Sequence, residues 1–136
     1  MQETKTILEG TGIHRQFQTV EGLLKVLKGI DIRVTRGEMV AITGVSGVGK
    51  STLLHILGGL DRPTVGQVSL EGLQFSSLSE QERARIRNQK VGFVFQFHYL
   101  LEDFTALENV MIPMLLAGVK RSEAVRQGEL LLQDVG

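Results

Sequence analysis

The nonapeptide Gly44-Val45-Ser46-Gly47-Val48-Gly49-Lys50-Ser51-Thr52 constrains this chain more than any other feature, because it fills every fixed position of the pattern G-x-x-x-x-G-K-[ST]. An apolar run, Met39-Val40-Ala41-Ile42, precedes it, and the helix-forming Leu53-Leu54-His55-Ile56-Leu57 follows. The order predicted is strand, loop, helix. Glycines let a loop backbone curl with its N–H groups inward, and a helix N-terminus presents further donors and a favourable dipole to an anion. A lysine after the last glycine adds a point charge for the β- and γ-phosphates, and the following hydroxyl suits Mg²⁺. The chain is therefore expected to bind a nucleoside triphosphate. With glycine at about 7% of average usage, the fixed positions would coincide in a chain of this length roughly once in a few hundred random sequences.

The bulk numbers exclude other classes. With 15 basic and 15 acidic residues the formal charge is zero, which gives no electrostatic case for nucleic acid as a partner. Cysteine is absent, so there is neither a disulfide nor a thiolate metal site. The N-terminus, Met1-Gln2-Glu3-Thr4-Lys5-Thr6, has no apolar signal core. No stretch approaches the roughly 18 apolar residues of a membrane span, and the strongest candidate, residues 110–117, is short and carries Pro113. The expectation is a soluble cytoplasmic chain, long enough to bury a core and organised as a single domain, without direct membrane insertion.

Periodicity supplies a coarse map. Residues 7–17 and 23–34 read as strands around a turn at residues 18–22, and residues 39–43 as the strand entering the glycine loop. Gly58-Gly59 should stop the following helix, with Pro63 beyond. Residues 65–72 alternate as another strand. Ser79-Glu80-Gln81-Glu82 is a capping box opening a charged helix to about Gln89, and its arginines Arg83, Arg85 and Arg87 are read as a solvated face. Residues 91–95 read as a buried strand ending at Gln96. Thr105-Ala106-Leu107-Glu108 is a second capping box, before a helix over residues 109–117, and Ser122 is expected to cap a last amphipathic segment ending at Leu132. His14, His55 and His98 are scattered and are read as structural, not as a metal site.

Together these residues resemble one family. The hairpin ahead of the loop, the loop itself and a glutamine ending a later strand are similar to the first half of an ABC-transporter ATPase. More narrowly, residues 51–61, residues 87–101 and Asp103-Phe104-Thr105-Ala106-Leu107-Glu108-Asn109-Val110 resemble the ATP-binding subunits of lipoprotein-releasing systems. The glycine loop alone names only the broad nucleotide-hydrolase class; the stretch from Phe97 to Val110 carries the narrower likeness.

The resemblance implies an α/β fold: a P-loop core of ABC type with an N-terminal antiparallel β subdomain, lacking its C-terminal part. Residues 1–36 would be mainly antiparallel β, and residues 37–136 the P-loop core and the start of the helical subdomain. It implies ATP and Mg²⁺ as ligands. By position, Phe17 matches the aromatic that stacks on adenine, commonly a tyrosine. Lys50 would meet the phosphates, Ser51 would ligate Mg²⁺, and Gln96 matches the glutamine that reaches Mg²⁺ and the attacking water. By residue type alone, the alternative reading of Phe17 is a packed hairpin residue and that of Gln96 a strand-end cap.

The apolar residues between Phe97 and Phe104 read on spacing alone as local core. The resemblance instead makes the region from Gln96 to Val110 the docking surface for a membrane-embedded transporter subunit, with Glu102 where a proline is usual. It also implies a second ATP-binding subunit and a peripheral position on the cytoplasmic face of the inner membrane. The whole would couple ATP hydrolysis to release of lipoproteins toward the outer membrane. The family's L-S-G-G signature, Asp-Glu strand and switch histidine do not occur within these 136 residues, so the general base is absent. The chain alone is thus expected to bind ATP better than it hydrolyses it. A stand-alone nucleotide-binding module, or an ATPase of a related macrolide-export or cell-division system, stays open. A small kinase is disfavoured because the arginine-rich stretch precedes a strand where no lid belongs.

Overall fold

The computed structural model describes residues 5–136, which fall into two compact units, one running to Arg83 and the other covering Ala84–Gly136. In the first unit, β1 (Thr6–Thr19) and β2 (Gly22–Thr35) form the expected antiparallel hairpin, with Thr19 paired to Gly22 and Phe17 to Leu24. The Thr19 hydroxyl donates to the Gly22 carbonyl at 2.8 Å, which ties the turn. Strand β3 (Val65–Leu70) pairs antiparallel with the other edge of β1, and β4 (Leu73–Gln74), too short to be legible as a pattern, completes a four-stranded sheet in the order β2-β1-β3-β4.

Gly66 explains how β3 comes so close to β1. At φ +98° it occupies the left-handed region, and a Cβ there would overlap the Gly12 carbonyl and lie 2.6 Å from the Thr11 oxygen. The register between the strands slips at this same place, between Thr11 and His14.

Helix α1 (Lys50–Leu57) buries Leu53, Ile56 and Leu57. With Ile13, Leu27, Val68 and Phe75 they form the core of this unit, each large side chain contributing about 1.5–3 kcal/mol by its removal from water. The helix ends at Gly58, where the glycine pair was expected to stop it. The Gly58, Gly59, Leu60 and Asp61 N–H groups donate back to the carbonyls of Leu54, Ile56 and His55.

Helix α2 (Glu80–Lys90) opens with the capping box read from the sequence. The Glu82 carboxylate accepts from the Ser79 N–H at 2.8 Å, and the Ser79 hydroxyl accepts from the Glu82 N–H at 3.3 Å. Its arginines are not all solvated, however: Arg83 is 5% exposed, its Nε without a partner, and its guanidinium is paired with Glu80. Composition alone makes α2 a surface helix; the position of Arg83 around the helix turns that one charge inward.

The second unit contains α3 (Ala106–Leu116) and α4 (Arg121–Val135). Thr105 and Glu108 close the second predicted capping box. Gly128 lets α4 approach α3, since a Cβ there would meet Leu107 Cδ1 at 2.8 Å. Ser122 does not cap α4. The helix starts a residue earlier, with Lys120 at the cap position and no side-chain bond, and runs on to Val135 because no breaker intervenes.

Two expected strands are missing. Residues 39–43 and 91–95 have no regular secondary structure and join no ladder among the described residues, and Met39 and Val94 are fully exposed. Strands of this apolar kind are stabilised by neighbours on both edges and by cover on both faces, and no such neighbour lies among the described residues.

Candidate nucleotide site

The glycine loop delivers residues 44–49 onto the N-terminus of α1. Gly49 is the cap residue, at φ 106° and ψ 11°, a conformation that costs a residue with a Cβ dearly. Space forbids a side chain as well: a Cβ on Gly49 would lie 2.8 Å from Val26 Cγ1 and 3.0 Å from Leu27 Cδ2. Strand β2 is thus the seat of the loop. The sequence pattern did not reveal this, because Val26 and Leu27 are distant in the chain and look like ordinary strand residues.

No side chain caps α1, and no acidic residue stands in its first turn. The opening N–H groups of a helix have no intrahelical acceptors, and here nothing from the side chains replaces them. Such an end, with its positive dipole and a loop of glycines around it, suits a phosphate. Lys50 adds the cation: its Nζ donates to the carbonyls of Gly44 and Val45, both at 2.8 Å, so the ammonium is folded over the mouth of the loop. Val45, Ser46, Gly47, Val48 and Ser51 are exposed around it, and the Val48 N–H donates to the Val45 carbonyl at 3.4 Å. Ser51 and Thr52 occupy the first turn of α1, as the pattern requires.

Phe17, in the same unit, is 37% exposed near the end of β1 and is not a core residue. The Arg15 guanidinium lies 4.5 Å over its ring, and Arg15 also pairs with Asp61 at 2.9 Å, just beyond the end of α1. The ring is therefore held in place by a cation–π contact while part of it stays open to solvent. Sequence reasoning missed Arg15, although an arginine two positions from an aromatic on one strand face was the available signal.

Gln96 lies in the second unit, exposed, at the end of the segment that makes no ladder. Among the described residues no group of His, Asp and Glu stands where it could hold a metal ion.

The apolar stretch after Gln96 is not local core. Phe97, Tyr99, Leu100, Leu101 and Phe104 are all exposed. Phe95 and Phe97 meet the Tyr99 ring edge-on at 5.0 and 6.3 Å, forming an aromatic cluster. Asn109 organises the loop: its Nδ2 donates to the carbonyls of Leu101, Phe104 and Thr105 at 3.0–3.1 Å, and its Oδ1 accepts from the Leu101 N–H at 2.8 Å. This clasp was not read from the sequence. An asparagine in the opening turns of a helix, where the residue type is otherwise unfavourable, was its only trace. No helix among the described residues is long and apolar enough to cross a membrane.

Comparison with known proteins gives the family. Residues 27–136 match the model of the ABC transporter domain. The ATP-binding protein LolD of the lipoprotein-releasing system of Legionella pneumophila is 46% identical over 130 residues, covering 96% of this chain and 57% of that protein. The LolD proteins of Saccharophagus degradans and Geobacter metallireducens are 52% and 50% identical over 113 and 131 residues, covering 83% and 96% of this chain and 50% and 58% of theirs. Among solved structures, the dimeric ATP-binding cassette MJ0796 in a post-hydrolysis state with ADP and Pi superposes with a TM-score of 0.86 at 33% identity, over 93% of this chain and 56% of that one. The chain thus spans little more than half the length of the relatives it matches. A glycine loop seated on a β hairpin at an uncapped helix end, within that matched span, makes this chain a member of the ABC transporter ATP-binding family.

Proposed function

We propose that this chain binds Mg²⁺·ATP at residues 44–52 and is the nucleotide-binding part of a transporter ATPase that releases lipoproteins from the inner membrane. The observation that carries the binding is the N-terminus of α1, left without a side-chain cap or acidic residue and overhung by the Lys50 ammonium. In this reading the loop N–H groups hold the phosphates, Lys50 neutralises the β- and γ-phosphoryl oxygens, and Ser51 ligates Mg²⁺. The half-exposed face of Phe17 stacks on adenine, and Gln96 reaches the metal and the attacking water once the site is assembled. A second ATP-binding subunit completes that assembly, as in the dimeric cassette.

The exposed aromatic cluster between Phe95 and Tyr99 and the Asn109-clasped loop support the region from Gln96 to Val110 as the surface on which a membrane-embedded subunit docks. In this reading the chain is peripheral on the cytoplasmic face of the inner membrane. The identity of 46–52% to LolD proteins supports lipoproteins as the cargo. These 136 residues contain no signature sequence and no general base, so alone they bind ATP without efficient turnover.

Equilibrium titration with ATP and Mg²⁺ tests the binding. Lys50→Ala should weaken affinity by roughly tenfold to a hundredfold, the loss of one charge-assisted contact or two, and equal affinities would overturn the assignment. Phosphate release by the purified chain should not exceed that of the Lys50→Ala variant; turnover clearly above it would refute the binding-only reading.

A further inference from the structure

A second pocket lies in the first unit, away from the glycine loop. It is a cavity of about 200 Å³ lined by the apolar Ile56, Val68 and Phe75 together with Arg62, Gln67 and Arg83. We infer that it is a binding site for a small organic anion, a phosphate ester or carboxylate carried on a short apolar body.

Arg83 carries the argument. A guanidinium cannot shed its proton to escape burial, and five N–H donors need acceptors. Arg83 is 5% exposed, yet its Nε has no partner among the described residues. Its guanidinium pairs with Glu80, whose carboxylate also receives Arg62 at 3.2 Å. One largely exposed carboxylate therefore serves two arginines. Asp61 is the acid that lines the cavity among the described residues, and Arg15 engages it at 2.9 Å. The wall thus carries two guanidinium groups against one carboxylate, and two buried Nε donors, that of Arg83 and that of Arg15 beside Asp61, have no partner among the described residues.

The carbonyls at the end of α1, which would otherwise repel an anion, are occupied. The Gly58, Gly59, Leu60 and Asp61 N–H groups already donate to them. An oxyanion placed in the cavity would accept from Arg83 Nε and from Arg62. Charge-assisted bonds of this kind are the strong ones, and Arg is the side chain suited to planar or tetrahedral oxyanions. Phe75, Val68 and Ile56 would exclude water from an apolar substituent, so the preferred ligand carries both parts. A volume of about 200 Å³ limits it to a small one.

Site-resolved NMR on the full chain distinguishes this pocket from the glycine loop, because the Arg83 Nε–H and the Gln67 and Ser76 amides report on one and Gly47 to Ser51 on the other. Titration with phenyl phosphate or benzoate up to roughly 10 mM should move the first set, with inorganic phosphate several-fold weaker because it lacks the apolar half of the recognition. Arg83→Leu should abolish the shifts without lowering the melting temperature, since exchanging a buried charge for an apolar group is commonly neutral or stabilising. Arg62→Gln, at an exposed position that does not threaten folding, should weaken phenyl phosphate about tenfold. Cavity signals that stay still with all three probes, or that move equally in both variants, would overturn the proposal.

Discussion

Gly66 and Gly72 both hold positive φ, at +98° and +82°, but only Gly66 is hemmed in by backbone, whereas a Cβ at Gly72 would meet nothing within 4 Å. Strain is common to both and overlap to one. Gly72→Ala should cost about 1 kcal/mol and Gly66→Ala about 3 kcal/mol or more in denaturant unfolding, because strand β3 must move away from β1 to make room. Phe17 poses the opposite case, a residue whose loss should be felt by ligand and not by fold. At 37% exposure it contributes little to the core, while stacking on a base is worth about 1–3 kcal/mol. Phe17→Ala should therefore weaken ATP binding by roughly tenfold with little change in melting temperature, and Phe17→Tyr should retain affinity; the paired titration and melting curves check both. The pattern of residues 44–52 named every member of the loop, but could not name Val26 and Leu27 beneath Gly49, or Arg15 over Phe17. Val26 and Leu27 lie far from Gly49 in sequence and carry no motif of their own, and the Arg15 contact, although only two residues from Phe17, depends on the strand face the two share.

Helix ends were the most legible elements. Both Ser79 with Glu82 and Thr105 with Glu108 close as capping boxes, since all the groups involved lie within one turn and need no tertiary help. They also set a pH dependence. The Glu108 carboxyl is held below its ordinary range by the Thr105 N–H and then by the Thr105 hydroxyl, and that of Glu82 by the Ser79 hydroxyl and then the Ser79 N–H. Glu123 is lowered further, to about 2, by hydrogen bonds from Arg126 and then Gln127. Each folded carboxyl binds its proton less readily than the unfolded one. The stabilisation is therefore complete above the ordinary value of 4.5 and is lost as pH falls through the folded value, toward about 2 for Glu123. Far-UV circular dichroism should show helix lost progressively over that window. Glu108→Gln should lower the melting temperature at neutral pH and flatten its decline with acid. The α4 start was misread because Ser122 looks like a cap by type; the chain enters the helix at Lys120 without one, and Ser122 falls inside the first turn. Asn109, which binds three carbonyls and an N–H of its own loop, should matter more than its exposure suggests. Asn109→Leu should leave α3 helical yet shift the NMR signals of residues 99–105 and collapse their dispersion.

Across the whole molecule, the residues that deny the sequence reading are those that lack strand partners. Residues 39–43 and 91–95 have the composition of buried strands, but Met39 and Val94 are fully exposed, and no ladder reaches either segment among the described residues. Unpaired apolar edges of this kind template association. Val94→Lys should reduce light scattering of concentrated protein without lowering its melting temperature, because the side chain it replaces packs on nothing. What the sequence determined by itself was local: the hairpin, the glycine loop with its helix, both capping boxes and the family they resemble. Each depends on residues within a few turns of chain, where spacing and chemistry suffice. Only the tertiary structure decided that β2 seats the loop, that Arg83 turns inward beside a cavity, and that two strand-like segments stand without ladders. These outcomes depend on which surfaces meet, and a strand or a buried charge is stabilised only by partners that its own sequence does not contain.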